Sequence, residues 1–172
     1  MTKRKRAATP IPPVLVVGIG NPDRGDDGVG PLVVRQVAEH LPPDLICHVG
    51  IIERTGDALA LIDDWAGRDA VVLVDAAAPV SVSGRVHRID LLEDRLPDDM
   101  SLSSTHAFGV AAAVGLARTL GLLPRRVIVY AVEGEQFVPG APVSEAVAAA
   151  VAGVATLVAE EVAGLLREPV AV

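Results

Sequence analysis

Three short stretches of the chain are almost wholly apolar: Val14 to Gly18 (VLVVG), Ala70 to Ala76 (AVVLVDA) and Arg126 to Glu133 (RVIVYAVE). Short Val- and Ile-rich runs bounded by turn-formers predict strands buried on both faces. Cys47 to Glu53 (CHVGIIE) is a weaker instance. Gly84 to Asp90 (GRVHRID) alternates apolar with polar positions, as a half-exposed edge strand does. Between these lie four stretches with Val, Leu or Ala at helical spacing: Val29 to His40, Asp57 to Trp65, Ala107 to Leu120 and Val143 to Leu166. Pro142 stands near the first turn of the last. Strand alternating with helix predicts an α/β three-layer sandwich, with a mainly parallel twisted sheet of about five strands and helices on both faces.

Composition narrows this further. The chain has 172 residues, 51% hydrophobic but only 2% aromatic. A core of Val, Leu, Ile and Ala suits a covered parallel sheet and speaks against an all-β sandwich. Such a length fits one domain, expected over residues 14–172. Residues 1–13 read as a disordered basic tail: Lys3, Arg4, Lys5 and Arg6 run into Pro10, Pro12 and Pro13 rather than into an apolar targeting stretch. The formal net charge is -7 even with those four cations counted, so the body is more acidic still and a poor partner for nucleic acid. The single cysteine, Cys47, excludes an intramolecular disulfide and a CxxC metal site, consistent with a reducing cytoplasm. The most apolar segment, Ala146 to Ala159, is broken by Glu160 and Glu161 well short of the roughly 20 residues of a membrane span, so none is expected.

In an open α/β sheet, ligands bind beyond the carboxyl ends of the strands, which directs attention to the loops after Gly18, Glu53, Asp75 and Glu133. The first, Gly18 to Gly30 (GIGNPDRGDDGVG), leads from a strand into a helix, as a dinucleotide loop would. Its Asp23, Asp26 and Asp27 would repel a pyrophosphate, and the third glycine of a GxGxxG is missing. Helix capping accounts for one aspartate there, not for the whole loop. Asp75 closes a central strand and, taken alone, reads equally as a turn former. His106, in SLSSTHAFGV, precedes a helix, where a lone histidine is more often solvated than functional. His40, His48 and His87 are expected away from the carboxyl edge. Asp27, Asp75 and His106 share that edge by prediction, and two carboxylates with an imidazole suit nickel, zinc or a similar divalent ion. No HExxH or GxSxG motif is present, and Cys47 has no evident activating partner.

The segments VLVVGIGNPDRGDDGVG, GDALALIDDWAGRDAVVLVDA and SSTHAFG, in this order, resemble the hydrogenase maturation proteases, which trim the C-terminal extension of nickel-iron hydrogenase large subunits. The resemblance spans about Val14 to Leu166. It implies that Asp27, Asp75 and His106 together bind metal and serve catalysis. It also implies that the metal is nickel supplied by the precursor, with zinc or another divalent ion as the alternative. The implied partner is the nickel-loaded large-subunit precursor, with Asp26 supporting the loop or accepting a proton. Many members carry Glu at the position of Asp27, and some carry an Asp-Gly-Gly-Thr-like stretch where this chain reads IIERTG, Ile51 to Gly56. Two other readings stay open on the residues alone: a metallohydrolase with zinc of its own, and a nickel-dependent protein that binds the precursor without cutting it.

Overall fold

The computed structural model describes residues 11–93 and 106–167, and of 106–109 the backbone only. Five strands and four helices follow one another: β1 (Val14–Ile19), α1 (Val29–His40), β2 (Val49–Arg54), α2 (Ala58–Trp65), β3 (Ala70–Ala77), β4 (Val86–Asp90), α3 (His106–Leu120), β5 (Arg126–Glu133) and α4 (Glu145–Arg167). They build one sheet in the order β2-β1-β3-β5-β4. β2, β1, β3 and β5 are parallel, and β4 is an antiparallel edge strand on β5. This is the α/β three-layer arrangement the pattern predicts. The weak strand begins at Val49 rather than Cys47, because Ile46–His48 forms a 3-10 turn.

Each face of the sheet is sealed by its own pair of helices. Val14, Val16, Val72, Val74, Ile128 and Val132 pack under α1 and α4, whereas Leu15, Val17, Val71, Leu73, Val127 and Val129 pack under α2 and α3. β1, β3 and nearly all of β5 are buried along their length, which is why their sequences lack the polar alternation of a one-sided strand. α1 approaches closest where Gly30 lies over the strand tips. A Cβ there would stand 2.2 Å from the Ile19 carbonyl oxygen and 2.5 Å from that of Val74, so only glycine lets the helix start so near the sheet.

α2 starts at Ala58 with Asp57 as its cap, the carboxylate accepting the Ala60 N–H at 2.8 Å. α4 is 23 residues long and, by length and composition, apolar enough to cross a membrane. Its Val147, Val151, Val154, Val158 and Val162 stripe is instead buried against the sheet, as in a core helix.

The chain passes from β1 through α1 to β2 on one side and then through α2 to β3 on the other. Strand order therefore reverses between β1 and β3, which opens a crevice at their carboxyl ends. The loops after both strands lie at that crevice.

Candidate functional site

Asp27 enters the crevice from the β1 side. It lies in a 3-10 turn, Gly25–Gly28, that leads into α1 and packs against β3. The residue is 3% exposed, and its Oδ2 accepts the Asn21 N–H at 3.0 Å. Asp75 enters from β3, fully buried, with Oδ1 accepting the Ala76 N–H at 2.8 Å. The strand continues two residues beyond it, to Ala77, so Asp75 is held by the sheet rather than by a turn. Val71, Leu73 and Ala77 belong to the cluster under α2 and α3, and period-two alternation sets Asp75 on that face.

The backbone of His106 opens α3, which covers the same face through Val110, Ala113 and Ala117. α3 leads into Arg126, paired with Ala70 at the amino edge of the sheet. A helix of 15 residues is about 22 Å long, comparable with a strand of 8 residues at about 26 Å, so its first residue stands toward the carboxyl edge. The three predicted positions thus share one edge by backbone, while the side chain of His106 lies outside the described residues. Among the described residues, no group of three or more His, Cys, Asp or Glu stands arranged to hold a metal.

Asp26 has a different task from its neighbour. It is fully buried, with Oδ2 accepting the N–H groups of Glu135 and Gln136 at 2.8 and 3.0 Å and Oδ1 accepting that of Ser144 at 2.7 Å. Burial pushes its pKa up, but the donors from Glu135, Ser144 and Gln136 prevail and hold it below the ordinary carboxylate value. Asp26 therefore supports the loop, tying the segment after β1 to the segment after β5.

The structure corrects the sequence reading at His87. His87, expected away from the carboxyl edge, lies opposite Ala131 because β4 runs antiparallel. Asp75 pairs with that same Ala131 from the other side, so Asp75 and His87 flank one small residue on one sheet face. His87 Nε2 lies 2.6 Å from Oε1 of the fully buried Glu133. Alternation in a strand whose partner is unknown cannot say which end of it lies at the active edge, and the direction of β4 decided that. Arg54, in the IIERTG segment, lies beside the loop after β1. Its carbonyl accepts the Gly20 N–H at 3.0 Å and its guanidinium grips Asp64 of α2 at 2.7 and 2.8 Å, so this segment buttresses the loop that carries Asp27.

A doubly wound sheet with two buried carboxylates at its switch crevice is an α/β architecture in which ligands bind beyond the strand ends. Residues 31–161 match the hydrogenase maturation protease family, and the chain belongs to that family: it is a peptidase of hydrogenase maturation. The matched span includes Asp75 and His106 and begins just after Asp27. Among solved structures, the chain is similar to the hydrogenase maturating endopeptidase HybD from E. coli, with 24% identity, 90% of this chain and 91% of that one covered, and a TM-score of 0.69. A NiFe hydrogenase maturation protease HybD from Thermococcus kodakarensis gives 23% identity, coverage of 87% and 98%, and a TM-score of 0.69. A hydrogenase 2 maturation peptidase from a Thaumarchaeota archaeon gives 27% identity, coverage of 88% and 98%, and a TM-score of 0.61. No curated protein matches the chain in sequence.

Proposed function

We propose that this peptidase removes the C-terminal extension of a nickel-iron hydrogenase large-subunit precursor after nickel insertion, recognising the inserted nickel through Asp27, Asp75 and His106. The observation that carries the proposal is the pair of buried carboxylates, Asp27 and Asp75, on the two sides of the β1/β3 crevice. Two carboxylate oxygens and an imidazole are hard and borderline donors that suit a divalent ion of the nickel or zinc kind. Nickel here is part of the substrate, so the ion arrives with the chain to be cut. Asp27 and Asp75 would complete its coordination, and the precursor would be fixed with its scissile peptide at the strand ends. Positioning of that kind converts attack by water into an intramolecular event. With both oxygens engaged by backbone donors, Asp26 holds the loop during this step.

The same donors around a zinc of the enzyme's own would make an ordinary metallohydrolase. Two measurements separate these readings: elemental analysis of the purified protein, and the mass shift of the precursor with and without nickel. We expect little bound metal and cleavage of the nickel-loaded precursor alone. Equal cleavage of a metal-free precursor, or activity that depends on stoichiometric zinc, would overturn nickel recognition.

A further inference from the structure

Glu133 is a fully buried carboxylate at the carboxyl end of β5 that the proposed metal chemistry does not use. It lies opposite Ala77, two residues beyond Asp75 on the neighbouring strand and on the same sheet face. Its Oε2 accepts three successive backbone N–H groups, from Val80, Ser81 and Val82, at 2.9, 2.7 and 3.2 Å. Its Oε1 accepts the Ser81 hydroxyl at 3.1 Å and faces His87 Nε2 at 2.6 Å. The main chain of Glu133 binds the same loop: its carbonyl accepts the Gly84 N–H at 2.7 Å and its N–H donates to the Arg85 carbonyl at 2.8 Å.

Three consecutive N–H groups turned onto one oxygen make the loop concave toward Glu133, a nest built around a side-chain anion. A loop whose amides turn inward sends side chains outward. Val80 and Val82 are accordingly 49% and 67% exposed, two large apolar groups on the rim that follows Asp75. Burying Glu133 without these donors would be costly, so the carboxylate and the shape of the rim stand or fall together.

We infer that Glu133 is a positioning residue for precursor cleavage: it moulds residues 80–82, in the loop after β3, into a rim at the carboxyl edge of the sheet whose valines meet the precursor polypeptide. The inference rests on the proposed precursor as substrate. It predicts an effect on substrate engagement rather than on the bond-breaking step, because Glu133 touches the rim and not the reacting atoms.

The test uses the full chain with nickel-loaded precursor, and joins amide hydrogen exchange to steady-state kinetics. Glu133→Ala should expose the Val80–Val82 amides to exchange and raise KM at least tenfold, with kcat changed less than threefold. Glu133→Gln keeps one carbonyl oxygen for the three N–H groups and should return most of the protection and of KM. Should Glu133→Ala fail to fold, the paired substitution Val80→Ser with Val82→Ser carries the test. It leaves Glu133 alone and should raise KM at least fivefold at an unchanged melting temperature. Unchanged exchange in Glu133→Ala, or unchanged KM in the double valine variant, would overturn the inference. A wild-type protein that left the precursor uncut would instead overturn the nickel-precursor reading and the substrate half of this inference, while exchange would still decide whether Glu133 holds the rim.

Discussion

Asp26 and Gln136, 110 residues apart, clasp each other twice: the Asp26 N–H donates to the Gln136 carbonyl at 2.7 Å, and the Gln136 N–H donates to Asp26 Oδ2 at 3.0 Å. This clasp joins the loop after β1 to the loop after β5 immediately beside Asp27. Removing the carboxylate leaves the N–H groups of Glu135, Gln136 and Ser144 without their acceptor. Asp26→Ala should therefore lower stability by roughly 2–4 kcal/mol, read as the midpoint shift in urea unfolding. A midpoint equal to that of the wild type would show that the clasp contributes nothing.

Asp75→Asn tests charge with shape nearly preserved. The amide oxygen can still accept the Ala76 N–H, so the fold should persist by circular dichroism. An amide is a poor ligand for a divalent ion, and cleavage of nickel-loaded precursor should fall about 100-fold or more. His106→Ala should behave alike. Full activity in either variant would remove the metal-recognition mechanism.

Gly25 has φ +60, and a Cβ there would lie 2.3 Å from the Gln136 carbonyl oxygen. From sequence, the glycines of this loop are expected to let it turn sharply, as the positive φ at Gly25 shows, and to let a substrate chain approach the backbone. At Gly25 the close neighbour is instead the protein's own backbone. Gly25→Val should thus impair folding as well as activity, by roughly 2–5 kcal/mol from left-handed strain and overpacking combined. A variant that melts normally yet is inactive would restore the substrate reading.

Glu133 links the rim to pH. Burial raises its pKa, but the Ser81 and Val80 amides, the Ser81 hydroxyl and His87 outweigh burial and bring it from the ordinary 4.5 down to about 2. A depressed folded-state pKa contributes stability that is complete above the unfolded value and is lost as pH falls through the folded one. The loss should therefore run from about pH 4.5 to about pH 2. Melting temperatures across that window should fall less steeply for Glu133→Gln than for the wild type. Equal slopes would mean that the carboxylate is not ionised in the fold.

His87→Ala, silent if the residue were a solvated edge-strand histidine, should instead lower stability by roughly 1–2 kcal/mol, because it removes one donor of a buried carboxylate that keeps its others. Urea unfolding at neutral pH gives the value. No shift would return His87 to the solvated surface role.

Much of the architecture was written locally. Continuous Val and Ile runs can be satisfied only by burial on both faces, so β1, β3 and β5 were legible, and α1 was legible to its end residues because its apolar stripe starts and stops with the helix. Asp27 and Asp75 could be singled out because carboxylates interrupt otherwise apolar or glycine-rich strand ends. Glu133 could not, although the loop after it was marked as a place to look. Its partners at 80–82 and 87 are about 50 residues away, and nothing local distinguishes it from a charge that ends a strand. The division between Asp26 as clasp and Asp27 as proposed site residue likewise depends on Glu135, Gln136 and Ser144. Sequence alone determined which segments must be buried and which loops could carry chemistry, because hydrophobic periodicity is a local property. Strand order, the antiparallel sense of β4 and the partners of each buried carboxylate were decided only in three dimensions, because a hydrogen bond to a distant backbone N–H leaves no trace in the spacing of residues.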